Sequence, residues 1–313
     1  MSKIVGVGSL VVDITAYANH LPVDGETTLG SRLKLGPGGK GNNQMTAAHR
    51  AGAEVKIISN VGDDFLADIL LKHYETEDMS KEYIGIVEGS ETSGALIEVN
   101  EETAQNRIIV VKAVNEQISA ADVIKADKDF ADCDAVLTQL ETSMESILQC
   151  KEMAKKYDKP FILNPAPFQK IPDSLFGGVD YITPNETEAE FFSGVPVMDE
   201  ESAEKAALKL LEKGAKNVVI TLGKNGVFYT NGKEKLMVPS IKVNAVDTTG
   251  AGDAFNGGFA TAIASGSDIK TALRFANCVG ALSVTKPGTS PAMPFKDEIS
   301  ALYEKEYGEK VSF

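Results

Sequence analysis

The chain has no tryptophan, and only three histidines and three cysteines among its 313 residues. His20, His49 and His73 follow no HExxH-like spacing, which argues against a zinc site. Cys133, Cys150 and Cys278 have no metal-ligand spacing either. An odd, sparse set points to a reducing, cytoplasmic setting in which each is a small buried hydrophobe. No apolar run nears the ~20 residues of a membrane span, and no basic-then-apolar signal stretch opens the chain. Cations are short too: 31 Lys and Arg against 45 Asp and Glu leave a net charge of −14. That balance speaks against a general nucleic-acid or anionic-membrane surface. Internal repeats, linkers and low-complexity tracts are missing. What remains, 43% hydrophobic and 24% charged residues, is the composition of a soluble globular protein able to bury a sizeable core.

Short, apolar, β-branched runs recur along the chain. They are "KIVGVGSLVVDI" (3–14), "EVKIISNVG" (54–62), "AVLTQL" (135–140), "FILNPAP" (161–167), "YITPN" (181–185) and "NVVITLG" (217–223). Near-continuous apolar runs suit strands covered on both faces. Helical patterns lie between them. In "DEESAEKAALKLLEKG" (199–214), Asp199 is the N-cap, Ala203, Ala206, Ala207, Leu210 and Leu211 form the apolar stripe, and Lys213 and Gly214 close the helix. This alternation predicts an α/β fold: a doubly wound, mostly parallel sheet flanked by helices, as a single domain over 1–313. Two segments break the rhythm. Residues from about 14 to 35 have no helix signal, and 92–113 reads as a hairpin. Four short strands without helices of their own predict a small separate sheet, a lid over the mouth of the main one.

Ligands of such sheets bind beyond the carboxyl ends of strands, so the residues just past them are the candidates for chemistry. In "GPGGKGNNQ" (36–44) the glycines allow close backbone approach, Asn42, Asn43 and Gln44 offer amides, and Lys40 offers a charge. The stretch is either an ordinary strand-to-helix connection or a polyol-binding rim, since neutral amides both donate to and accept from hydroxyls. "PNETEAE" (184–190) puts Asn185 at a strand end and Glu188 one helical turn on. That pair is either a helix start with dipole-favoured acids or a holder for hydrated Mg2+ near phosphates. "TLGKNG" (221–226) is another strand end, or a simple hairpin turn into "VFYTN".

"AVDTTGAGDAFNGG" (245–258) has glycines at 250 and 252 leading into a helix whose stripe is Phe255, Phe259, Ala262 and Ile263, ended by Gly266. A helix start presents free N–H groups to an anion. Yet Asp253 stands at the mouth, where the GxxxxGK[ST] loop has lysine. The acid could simply cap the helix, and the dipole predicts a depressed pKa for it. The alternative is two half-sites. The N–H groups of Gly250, Ala251 and Gly252 would stabilise charge on a transferring phosphoryl group, while Asp253 takes the proton from an attacking hydroxyl.

Together these motifs resemble the ribokinase, or PfkB, family of carbohydrate kinases. The resemblance runs nearly the whole length in order: "VGVGSLVVD", "GGKGNNQ", "SNVGDD", "QLE", "NPAP", "TPNETEAE", "ITLGKNGV", "VDTTGAGDAFNGG" and "VTKPGTS". It implies ATP-dependent phosphorylation of the primary hydroxyl of a pentose, first of all D-ribose. The alternatives are another furanose, deoxyribose or a nucleoside, or a non-catalytic sugar-binding regulator, which could dispense with the base or the anion hole. By resemblance, Asp253 is the general base, and Gly250, Ala251 and Gly252 form the anion hole. The sugar-binding positions are Val11, Asp13, Gly39, Lys40, Asn43, Glu141 and Asp253. The ATP-side positions are Asn185, Thr221, Gly223, Gly226, Gly252 and Asn277. Asn185 and Glu188 serve Mg2+ through water or phosphate. An activating K+ ion would sit at loops containing Asp247, Thr249, Ser283, Lys286, Gly288 and Ala292. The lid sheet implies a homodimer. Three places depart from the family pattern: Val11 replaces a common asparagine, "KAVNEQI" (112–118) replaces a Gly-Ala-Asn pattern, and Asn277 stands where some members have histidine.

Overall fold

The computed structural model describes residues 1–103 and 105–311; Ala104, inside the expected 92–113 hairpin segment, lies outside the described residues. The strands are β1 (Lys3–Val7), β2 (Val11–Ala18), β3 (Arg32–Gly38), β4 (Glu54–Gly62), β5 (Ile84–Val87), β6 (Gly94–Asn100), β7 (Asn106–Val111), β8 (Ala135–Thr138), β9 (Phe161–Leu163), β10 (Tyr181–Ile182), β11 (Asn217–Thr221), β12 (Val227–Thr230) and β13 (Lys235–Val238). The helices are α1 (Lys40–Arg50), α2 (Phe65–Thr76), α3 (Ala120–Ile124), α4 (Asp127–Asp132), α5 (Met144–Lys156), α6 (Glu186–Ser193), α7 (Glu200–Glu212), α8 (Ala251–Ala264), α9 (Ile269–Ser283) and α10 (Lys296–Tyr307).

The large sheet has the order β13-β12-β11-β10-β9-β8-β1-β4-β5, parallel except for the β11–β12–β13 meander at one edge. Its strands read as continuous apolar runs because both faces are covered. Successive residues alternate between two cores: Ile162 enters one, while Phe161 and Leu163 enter the other, and Val219 is flanked in the same way by Val218 and Ile220. From β1 the chain winds outward through β4 and β5, then returns to β8 and winds the other way. The switch point between β1 and β8 is where an open α/β sheet has its crevice.

The second sheet has four strands, β3-β2-β6-β7, with β2 and β6 parallel at its centre. It begins earlier than expected. The run 3–14 is not one strand: Gly8–Leu10 carry the chain from β1 in the large sheet to β2 in the small one, so the small sheet draws on Val11–Gly38 and Gly94–Val111. Asn115 pins this crossing. Its side chain accepts from Leu10 N (3.3 Å) and donates to Leu10 O (3.0 Å), pairing with both backbone groups as a strand neighbour would. Asp64 caps α2 and also accepts from Thr92 N (2.8 Å) at the entry to β6.

The departure in "KAVNEQI" has a physical reading here. Asn115 keeps the tie to Leu10, but Ala113 stands at φ 35°, a left-handed backbone conformation that favours glycine. Ala113→Gly is expected to raise stability by about 0.5–1 kcal/mol in chemical denaturation, by relieving that conformation.

Candidate active site

The site is built around the start of α8. Gly250 is its N-cap, in the left-handed conformation at φ 78°. The N–H groups of Gly250 and Gly252 have no protein acceptor among the described residues, whereas Ala251 N–H reaches Thr248 O at 3.3 Å. A Cβ built on Gly252 would meet nothing within 4 Å, so this backbone faces open space. At Gly257 the reverse holds: a Cβ would lie 2.5 Å from Gln44 O on α1. Of the glycine pair in "FNGG", Gly257 therefore lets α8 pack against α1 and Gly258, facing Val279, lets it pack against α9; the α1 packing brings Asp253 onto the amides of "NNQ".

Asp253 is buried, with only 6% of its surface exposed. Asn43 Nδ2 donates to its Oδ2 and Gln44 Nε2 to its Oδ1, both at 2.9 Å. The helix start had predicted a depressed pKa. The structure reverses that direction: burial pushes the carboxyl up, opposed by Lys40 and by the two amides. Loss of hydration at this depth outweighs the dipole of the first turn. A carboxylate so raised is a better proton acceptor than an exposed one.

Lys40 is partly buried; desolvation acts against its charge, but the attraction of Asp253, Glu141 and Glu188 outweighs it and holds the ammonium above its ordinary value. Glu141 lies past β8 and accepts from Ser9 Oγ (2.5 Å) and Lys40 N (2.9 Å). Asp13 on β2 accepts from Thr289 Oγ1 (3.1 Å), and its carboxylate occupies the place where a Cβ on Gly38 would sit. Val11 has the same strand parity as Asp13, and its Cγ2 lies over Gly39, which holds φ 90°. The glycine string is thus a set of close approaches. Asn42 is no part of an open rim: it is fully buried and donates to Ser290 Oγ (2.7 Å).

Asn185 caps α6, and its side chain and that of Glu188 satisfy each other's backbone N–H groups at 2.8 and 2.9 Å. The helix-start reading is realised, yet Glu188 also lies close enough to Lys40 and Asp253 to feel both charges, and only its Oε2 is engaged. Thr221 bridges to Asn185 across the strand ends. Gly223 begins the turn from β11 to β12, and Gly226 closes it at φ 102°, where a Cβ would fall 2.1 Å from Val238 O. That close approach alone requires glycine at 226. Asn277 donates to Pro239 O at 3.1 Å.

Asp247 accepts from Thr249 N and Gly288 N, both at 2.9 Å, tying together the two loops expected to hold a cation. Ser283 ends α9 with its hydroxyl on Gly280 O, Lys286 pairs with Glu298 at 2.7 Å, and Ala292 is buried in a short turn. No cluster of three or more His, Cys, Asp or Glu among the described residues could ligate a metal alone. Gln44 was read only as one of three rim amides, and Ser9, Gln139, Asn164, Thr289 and Ser290 were not singled out from sequence as site residues. Asn164, at a strand end like Asn185, carried a signal; Thr289 and Ser290 lie in "VTKPGTS", but nothing local says that they meet Asp13 and Asn43.

Burial dominates the raised pKa of Asp13, about 6, and of Glu188, about 7. Between about pH 4.5 and 7 the folded state then holds protons that the unfolded state has released, so this contribution to stability is present below the window and lost as pH rises through it. His73, held neutral mainly by burial, works in the opposite direction up to its ordinary value. The two carboxyls each contribute roughly 2–3 kcal/mol. The unfolding midpoint of the substrate-free protein is expected to be several degrees higher at pH 5 than at pH 7.5, read by calorimetry.

The model of the pfkB family of carbohydrate kinases matches residues 1–296. The chain belongs to that family. The kinase is 37% identical over 292 residues to a ribokinase of Haemophilus influenzae, covering 93% of this chain and 95% of the relative. It is 35% identical over 289 residues to a deoxyribokinase of Salmonella typhi, covering 92% and 94%. Among solved structures, an Arabidopsis thaliana ribokinase complexed with ribose and ATP superposes with a TM-score of 0.89 at 28% identity, covering 97% of this chain and 99% of that one. The fold of the kinase, a mostly parallel sheet with a separate four-stranded sheet, is the fold expected from its sequence.

Proposed function

We propose that this kinase transfers the γ-phosphoryl group of ATP to the primary hydroxyl of a pentose, D-ribose first. The observation that carries the reading is Asp253, a buried carboxylate held by α1 amides beside the open backbone of Gly252. Asp13, Gly39, Lys40, Asn43 and Glu141 hold the sugar hydroxyls beneath the small sheet. Asp253 accepts the proton of the attacking hydroxyl as the new O–P bond forms and the bond to the ADP oxygen breaks. The N–H groups around Gly250, Ala251 and Gly252 steady the charge in flight. Asn185, Thr221, Gly223, Gly226 and Asn277 line the nucleotide side.

The free Oε1 of Glu188, with Asn185 beside it, suits a hydrated Mg2+, which would neutralise phosphate charge when bound. The loops joined by Asp247 suit a monovalent cation held by backbone carbonyls, with K+ as the expected activator. The alternating register leaves Leu33, Leu35, Leu96, Ile109 and Val111 exposed on the face of the small sheet opposite Asp13, which supports a homodimer formed there. Three buried free cysteines agree with a cytoplasmic setting.

A second reading, 2-deoxyribose as substrate, is favoured by Val11. An apolar side chain at the rim supplies no partner for a hydroxyl, and a site without that hydrogen bond discriminates weakly. Coupled ATP turnover across ribose, deoxyribose, fructose, tagatose and nucleosides, each with and without K+, tests both. Turnover on ribose above all others supports the first reading, preference for deoxyribose replaces it with the second, and no turnover on any pentose overturns both.

A further inference from the structure

Beneath the rim runs a chain of buried amides whose direction is fixed at one end. Thr183 O, a backbone carbonyl, can only accept, and Asn164 Nδ2 donates to it at 2.9 Å. Asn164 therefore turns Oδ1 the other way, towards Gln44 Nε2 at 3.0 Å. The same Gln44 nitrogen donates to Asp253 Oδ1. Gln44 Oε1 is left to accept from Gln139 Nε2 at 2.8 Å. No member can flip without setting donor against donor or acceptor against acceptor. All three amides are buried, Gln44 completely. The other arm on the carboxylate differs: Asn43 Oδ1 accepts from Ser290 Oγ at 2.6 Å, that hydroxyl accepts from Asn42 Nδ2, and Asn42 Oδ1 has no partner among the described residues, so Asn42, Ser290 and Asn43 can reverse their donor and acceptor roles together.

We propose that Gln44 is a positioning residue for the base, a polarity-locked donor that permanently ties Asp253 Oδ1 and leaves Oδ2, on the adaptable Asn43 arm, as the oxygen that takes the substrate proton. The proposal rests on the reading of Asp253 as the general base. A leucine or methionine would fill the same core position, so packing alone does not call for an amide there. The donor favours the ionised carboxylate against its burial. It acts alongside Lys40 from α1, Glu141 from the loop after β8, Glu188 from α6 and Asp13 from β2, the charged groups facing Asp253.

The test is the pH profile of kcat/KM for the best pentose in the intact enzyme, which reports the free enzyme's base. Gln44→Met is expected to move the acidic limb up by about one pH unit, lowering kcat/KM by up to about tenfold on the acid side of the limb, with recovery towards wild type on its alkaline side. Gln139→Leu, which frees the orientation of Gln44 without touching Asp253, is expected to give a smaller shift in the same direction, and serves if the first variant fails to fold. A lowered rate with an unmoved limb in the folded variants, or an unchanged rate, overturns the proposal. Asp253→Asn alongside separates the two readings: if it is inactive while the limb stays put, only the role of Gln44 falls, and if it retains turnover, the base assignment falls first.

Discussion

Asp253→Asn is expected to lower kcat about a thousandfold, the middle of the range for a lost general base, while the sugar KM moves by a few-fold at most. The substitution should be tolerated by the fold. It removes one of the buried carboxylates around Lys40 and leaves Glu141 and Glu188 to hold that ammonium. The new amide can turn its oxygen towards Gln44, whose donor is fixed, and its nitrogen towards Asn43, which can flip because its further partner is the hydroxyl of Ser290. Steady-state kinetics with a melting curve on the same preparation decides the matter. Wild-type turnover in a folded variant would remove Asp253 from the chemistry.

Lys40→Met is expected to do more damage to the molecule as a whole. Its ammonium feels three carboxylates, Asp253, Glu141 and Glu188, none of them at ion-pair distance among the described residues. Removing the charge that offsets these carboxylates without making a direct ion pair costs about 1–3 kcal/mol at neutral pH. Asp253 and Glu188, whose carboxyls burial already pushes up, can recover part of that loss by taking protons, so the deficit should shrink from pH 8 to pH 5. Proton uptake by Asp253 would also disable it as a base, and turnover should fall at least about a hundredfold near pH 7. Denaturant unfolding at several pH values, with activity at each, checks both parts. A deficit that does not change with pH would show that the cluster is not balanced as described.

The large sheet was legible because its physics is local. β4 coincides with the run 54–62, and α7 lies inside the 199–214 pattern, because two-sided burial and one-sided burial leave different periods in sequence. The break at Gly8–Leu10 was not legible. Apolar residues continue on both sides of it, and no local pattern says that the chain changes sheets there. The pKa of Asp253 was misread for a related reason: the capping position is visible in "GAGD", but the depth of burial depends on α1 packing over α8, which Gly257 permits. The motifs placed Asn43 and Lys40, but nothing marked which of three adjacent amides, Asn42, Asn43 or Gln44, faces which partner. That follows from the 3.6-residue turn of α1 and from acceptors contributed by Asn164 just past β9 and by the Ser290 turn.

The hydrogen bonds around the rim span nearly the whole chain. Asp13 meets Thr289 across 276 positions, Asn42 meets Ser290 across 248, and Asn43 meets Asp253 across 210. Such contacts carry the largest loop-closure entropy and form late when a chain folds. The sheet strands can pair as they appear, but the rim cannot close until residues near 290 are in place. During synthesis the sugar pocket is therefore among the last parts to form, and a folding intermediate with most of the final helix and strand content would still be unable to hold its substrate.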